Sequence, residues 1–225
     1  MRSHARRILH AHREALAAFD GESLAGEVTV GAPDDYASTF LPRILGRFAE
    51  THAKVHVTVV CRPSVELLRL LGERTVDLAL VTQGSGERGG TVVLREPIVW
   101  ATSSRHRAHE QDPLPLALFE SGCAFRRAAT ESLAARGRAA RVAYTSVSIA
   151  GVHAALEAGL AVGAILRSSL RPGLRVLDER DGFPPLPESG IVLQRASREP
   201  APLVDRLEEA ILEFFREDRG LRLAA

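Results

Sequence analysis

The stretch that decides the fold is residues 27–82, EVTVGAPDDYASTFLPRILGRFAETHAKVHVTVVCRPSVELLRLLGERTVDLALVT. Three short runs rich in β-branched residues, Val28–Val30, Val55–Val60 and Val76–Val81, alternate with two amphipathic segments. β-Branched side chains fit the pleated surface of a sheet, and an i, i+3, i+4 apolar stripe fits one face of a helix. The order is therefore strand, helix, strand, helix, strand. A polar cluster follows each strand: Asp34-Asp35, Arg62-Pro63-Ser64 and Thr82-Gln83. In a parallel α/β sheet these exits share one edge, and that edge is where such sheets bind small molecules.

In detail the pattern predicts a strand over Glu27–Gly31 and a helix over Tyr36–Glu50, with Phe40, Leu41, Ile44, Leu45 and Phe48 on its apolar face. Pro42 sits inside that helix and predicts a later start or an irregular first turn, because proline lacks the N–H the ladder needs. A strand over Val55–Val60, a helix over Ser64–Gly72 and a strand over Asp77–Val81 follow, then a surface loop at Gly84–Gly90. Two further strands, Val92–Arg95 and Ile98–Thr102, lead to a polar, proline-bearing crossing at Ser103–Pro115.

A second unit then repeats the rhythm: a short strand near Cys123, helix Arg126–Arg136, strand Val142–Tyr144, helix Ser148–Ala158, strand Ala161–Ile165 and a strand around Leu174–Leu177. Phe183-Pro184-Pro185-Leu186-Pro187 is an extended connector. A last strand, Ile191–Gln194, and an amphipathic helix, Ala201–Arg216, close the chain. The fold class is α/β, two small Rossmann-like lobes joined by two connections, which makes a clamshell with a hinge and a cleft. Upstream, Ile8, Leu9, Ala11, Ala15, Leu16 and Phe19 form a stripe on a charged helix over residues 2–19. That stripe has nothing to pack on in its own segment, so it is expected to meet a second copy or another part of the protein.

The 225 residues suffice for one large or two small domains, and a net charge of +1 gives no basic field to hold nucleic acid. No apolar run approaches the ~20 residues of a membrane span. The basic N-terminus has no apolar core or cleavage site of a secretion signal. With two cysteines only, Cys61 and Cys123, a reducing, cytoplasmic setting is expected. These cysteines fall in different lobes; a redox pair across the cleft and two unpaired thiols are both open readings. C-x-x-C and G-x-S-x-G are absent, and Gly84–Gly86 has no phosphate-loop lysine. No metal, cofactor or catalysis is expected.

The order Gly31/Pro42, Phe48/Val55, Ser64, Leu67, Leu71 and Asp77-Leu78-Ala79-Leu80 resembles the effector-binding domain of LysR-type transcriptional regulators. The resemblance continues through Pro97-Ile98-Val99-Trp100, Ser146, Glu157–Gly163, Pro184–Pro187 and Ile191–Arg195, and covers Leu24 to Phe215. It implies a type-2 periplasmic-binding-protein-like fold, with lobe I at 26–102 plus 196–225 and lobe II at 103–195. Residues 1–24 resemble the end of the family's linker helix. It further implies a homodimer or tetramer formed through Tyr36–Glu50 and Val55–Val60 against lobe II of another copy. DNA contact is expected only through an N-terminal winged helix-turn-helix, absent from these residues. A free-standing binding protein, or an enzyme on the same clamshell, is the alternative.

The resemblance places the effector between the lobes and puts Asp34, Asp35 and Tyr36 at its first turn. Members commonly carry Ser or Thr where Asp35 stands, holding an effector carboxylate. Asp35 either caps the following helix or turns the site towards an amine or hydroxyl-rich ligand. Arg62 and Arg126 are anion partners or solvated surface groups. Ser64 is an effector contact or an N-cap, and Thr82 an effector contact or a satisfied buried hydroxyl. Trp100 and Phe125 are cleft walls or core. In lobe II, Ser146 and Ser148 offer donors at a helix start, and Gly163 would let a backbone approach the ligand.

Overall fold

The computed structural model describes residues 24–86 and 89–222, so the predicted helix over residues 2–19 lies outside the described residues. The chain builds β1 (Gly26–Ala32), α1 (Asp34–Thr51), β2 (Val55–Cys61), α2 (Ser64–Gly72), β3 (Leu78–Thr82), β4 (Thr91–Ser103) and β5 (Leu114–Phe119). It continues with α3 (Ala124–Ala135), β6 (Ala140–Ser146), α4 (Ile149–Glu157), β7 (Val162–Leu166), β8 (Leu174–Leu177), β9 (Glu188–Arg195) and α5 (Pro202–Arg222). The strands run in the order β2-β1-β3-β9-β4-β7-β5-β6, with β8 also paired to β4.

Each end of this sheet is a small parallel unit, β1 with β2 and β3 at one end, β5 with β6 and β7 at the other. The antiparallel strands β4 and β9 join them. β4 is a single thirteen-residue strand where two were expected. Its first half pairs with β9, and Ile98–Ser103 pairs with β7 and β8. Glu96 and Pro97, which fell in the gap between the two expected strands, are the passage of one strand from lobe to lobe. β9 pairs with β3 as well as β4 and so lies in the first lobe's sheet.

Two other boundaries differ from expectation. The strand expected near Cys123 is Leu114–Phe119, whose six residues are all buried. A strand covered on both faces shows no alternation, and here the polar residues around it hid it. Cys123 instead precedes α3, which starts at Ala124. α1 starts at Asp34 and runs unbroken through Pro42, which is exposed; the missing N–H costs one ladder bond at the solvent side.

Both faces of β3 are covered, and its side chains divide between two cores. Leu78 and Leu80 join the main core with Phe40 and Ile44 of α1, whereas Ala79 and Val81 pack against Leu67 and Leu71 of α2. α5 returns over α1, where Phe40 meets Phe215 at 5.2 Å and Arg47 pairs with Glu217 at 2.6 Å. This packing makes α1 a rigid arm whose first turn faces the second lobe.

Candidate functional site

The seam between the lobes is built from helix N-termini. Asp34, the first residue of α1, reaches across to α4: its carboxylate accepts the Ser148 hydroxyl and the Ile149 N–H, the latter at 2.9 Å. Ser148 is the N-cap of α4, its Oγ also accepting the Ala150 N–H at 3.1 Å. The Ser148 N–H in turn is donated to Ser146 Oγ at 3.0 Å. The free N–H groups of a helix start carry a partial positive charge, so a carboxylate from the opposite lobe is a favourable partner. Asp34, Ser146 and Ser148, expected to be effector contacts, thus come together as one inter-lobe contact.

Asp35 points elsewhere. It is 4% exposed and accepts the N–H of Tyr36 at 3.0 Å, a free donor of the helix's first turn. The N-cap position proper belongs to Pro33, which has no side-chain cap. Burial raises the Asp35 carboxyl to about 7, with the charges of Asp34 and Glu96 adding to the effect. Glu96 itself, buried on β4, accepts from the backbone and the hydroxyl of Ser168, the latter at 2.9 Å.

Tyr36, Ser64 and Thr82 meet in lobe I. The Tyr36 hydroxyl lies 2.7 Å from Thr82 Oγ1, the Thr82 N–H is donated to Ser64 Oγ at 3.0 Å, and Ser64 Oγ lies 3.3 Å from Thr82 Oγ1. All three residues are buried, and burial pushes the Tyr36 phenol well above its usual range. Ser64 is not an N-cap, since Pro63 holds that position. The cluster ties α1, α2 and the end of β3 together without help from lobe II.

The remaining candidates serve packing or the surface. Arg62 is exposed, donates to the carbonyl of Cys61 and lies 3.5 Å from Glu66. Arg126 donates to the Phe119 carbonyl at 3.0 Å, fixing α3 to the end of β5. Trp100 is buried, its Nε1–H donated to the Pro184 carbonyl at 2.8 Å and its ring 5.4 Å from Phe183. Phe125 packs edge-on to Phe119 in the core. A Cβ on Gly163 would come within 3.0 Å of the Ala117 carbonyl and 3.2 Å of Leu156, so this glycine permits β7 to pack on β5 and α4.

Beside the seam lies a cavity of about 560 Å³ that sequence reasoning missed. Its walls are Gln83 and Gly84 after β3, Arg127 and Glu131 with their neighbours on α3, and Glu188–Gly190 at the start of β9. None of the sequence candidates lines it. Only Gln83, noted at its strand exit, carried a signal; Arg127 and Glu131, inside the helix expected over Arg126–Arg136, carried none. A Cβ on Gly190 would sit 2.3 Å from Gln83 Oε1, so any larger residue there would displace the end of the glutamine side chain.

Cys61 and Cys123 are free thiols, and burial pushes both up in pKa, which makes them weak nucleophiles. The H-x-x-x-H spacing of His52 and His56 straddles the end of α1 and the start of β2, so the two rings share no helix face. Among the described residues no group of three or more His, Cys, Asp or Glu is placed to hold a metal ion, and no helix is long and apolar enough to cross a membrane.

Two α/β lobes joined by β4 and by the segment 183–187 that leads into β9, with helix N-termini facing each other across the seam, define a clamshell module of the kind that closes on small molecules. The family model of the LysR substrate binding domain matches residues 21–216, and the chain belongs to that family. It is 36% identical over 208 residues to the HTH-type transcriptional regulator DgdR of Burkholderia cepacia, covering 92% of this chain and 71% of that protein. Against the HTH-type transcriptional regulator PecT of Dickeya dadantii it is 30% identical over 192 residues, covering 85% and 61%.

Solved structures share the fold. The effector binding domain of QuiR in complex with shikimate superposes with a TM-score of 0.70 at 11% identity, covering 86% of this chain and 99% of that one. The regulatory domain of CcmR from Synechocystis PCC6803 in complex with 2-PG gives 0.68 at 18%, covering 84% and 96%. The architecture is thus periplasmic-binding-protein-like of type 2, and the chain is an effector-binding domain of LysR type.

Proposed function

We propose that this domain binds its effector between lobe I (26–102 plus 196–225, joined by β9, which pairs in its sheet) and lobe II (the rest of 103–195) and reports occupancy to transcription through the arrangement of the lobes. The observation that carries the reading is the contact of Asp34 with Ser148 and Ile149. It joins residues 114 apart in sequence, one from each lobe, and exists only while the lobes are closed. A ligand that competes for this contact, or that adds to it from the adjoining cavity, shifts an equilibrium between two lobe arrangements. Asp35, Tyr36, Ser64 and Thr82 form the lobe I wall of that seam.

The domain binds without turning its ligand over, and it works in the cytoplasm. Self-association uses the helix over Tyr36–Glu50 and the strand over Val55–Val60. β2 is one edge of the sheet with Val59 exposed, and β6 is the other with Val142 and Tyr144 exposed. Two unpaired edges on opposite lobes suit a side-by-side pair in which each copy's lobe I meets the other's lobe II. DNA is reached through a winged helix-turn-helix N-terminal to these residues, with 1–24 as the linker.

A fractionated bacterial metabolite extract tests the sensing role. At least one fraction is expected to raise the melting temperature of this chain, and the compound is expected to be recovered unchanged. No shift from any fraction, or conversion of the compound, contradicts the reading.

A further inference from the structure

The cavity beside the seam presents charges of both signs that the protein does not neutralise itself. Arg127 and Glu131 come from α3, one helical turn apart, and Glu188 comes from the start of β9 across the opening. Among the described residues none of these three side chains makes an ion pair or a hydrogen bond, although other exposed arginines do, Arg62 and Arg69 included. Arg127 and Glu131 stand in the same four-residue order as Arg62–Glu66 and Arg69–Glu73, which pair, yet they do not meet each other. The guanidinium instead extends towards lobe I, with Nη2 3.7 Å from the place a Cβ on Gly84 would occupy.

The rest of the lining complements these charges. Gln83, Ser132 and Ser189 supply hydrogen-bonding groups, while Ile98, Pro187 and Ala128 form an apolar floor. One guanidinium matches one carboxylate, two carboxylates match one ammonium group, and the apolar floor matches a hydrocarbon side chain. The volume of about 560 Å³ is ample for a molecule of that size.

We propose that this cavity binds a small zwitterion, an α-amino acid with an apolar side chain, with its carboxylate on Arg127 and its ammonium group on Glu131 and Glu188. The proposal rests on the effector-sensing reading and names the chemical class of the effector. Because the charged walls belong to α3 of lobe II on one side and to β9 in the lobe I sheet on the other, such a ligand bridges the two lobes. A hydroxy acid lacks the group that Glu131 and Glu188 need, and a simple amine lacks the group that Arg127 needs. Either forgoes a charge-assisted hydrogen bond and leaves its protein partners unmatched.

The experiment uses the 225-residue chain, with the standard amino acids as probes, each beside its 2-hydroxy acid and its decarboxylated amine. Binding is measured by calorimetry and thermal shift. At least one apolar amino acid is expected to bind at least tenfold more tightly than both of its matched analogues. Arg127→Ala and Glu131→Gln, both at exposed positions, are each expected to weaken it at least tenfold while leaving the melting temperature of the ligand-free chain in place. Three results overturn the proposal: analogues that bind as tightly as the amino acid, binding that survives both substitutions, or no binding anywhere in the panel. If the metabolite extract still stabilises the chain when the panel does not, the amino-acid assignment falls alone and the sensing role stands.

Discussion

The hydroxyl groups beside the N-termini of α2 and α4 find their partners in opposite ways. At α2 the neighbouring hydroxyls of Ser64, Thr82 and Tyr36 bond one another inside lobe I. At α4 the N-cap Ser148 and the Ile149 N–H are completed by Asp34, a residue of the other lobe. One end is self-contained and holds a lobe together, and the other is finished only when the clamshell shuts. The polar groups that are saturated within a lobe therefore set its rigidity, while those satisfied across the seam set its conformation.

The largest effect should come from the arm that delivers Asp34. Phe40 packs against Tyr36, Phe214 and Phe215 in the lobe I core. Phe40→Ala should cost roughly 3–5 kcal/mol in chemical denaturation, and the seam should open as α1 loosens.

Asp35→Asn acts with the opposite sign. The folded state holds the Asp35 carboxyl at about 7 against the usual 3.8. Near pH 4 and below, the group is protonated folded or unfolded and contributes nothing to the pH dependence. From there to about pH 7 the unfolded chain ionises first, so stability falls as pH rises, and above that the full penalty is in place. The amide removes the penalty but accepts the Tyr36 N–H less well than a carboxylate does. The variant should therefore gain about 2 kcal/mol at pH 8 and nothing at pH 4, read from denaturation curves at both.

Two smaller changes break the comparison from either side. Tyr36→Phe removes one hydroxyl from the lobe I cluster and should cost roughly 1–2 kcal/mol, with the radius of gyration in X-ray scattering unchanged. Ser148→Ala should cost about 1 kcal/mol by removing the cap, yet expand the molecule measurably, since one of the two inter-lobe bonds to Asp34 goes with it. Equal expansion in both variants would erase the distinction between the two helix ends.

Most of the fold was legible because buried strands and amphipathic helices write their periods into the chain. The misreadings fell where burial is two-sided or where an element crosses between lobes. Leu114–Phe119 has no alternation to display, and Glu96 and Pro97 sit in the middle of a continuous β4. For the site, residue type was the readable part. Asp34, Ser146 and Ser148 stood out as polar groups at strand exits and helix starts, but their pairing is a tertiary fact that no local pattern encodes. Trp100 and Gly163 stood out for the same local reasons and turned out to serve packing. The cavity charges on α3 were invisible, because an exposed arginine or glutamate looks the same in sequence whether it faces water or a ligand.

Amide hydrogen exchange at Ile149 tests the seam most directly. In the unaltered chain this N–H is protected by Asp34, although it sits at a helix start where amides ordinarily exchange fast. Asp34→Ala should raise its exchange at least tenfold and leave amides elsewhere in α4 and in β7 unchanged. Equal protection in the two proteins would contradict the account, because α4 would then be completed without the other lobe.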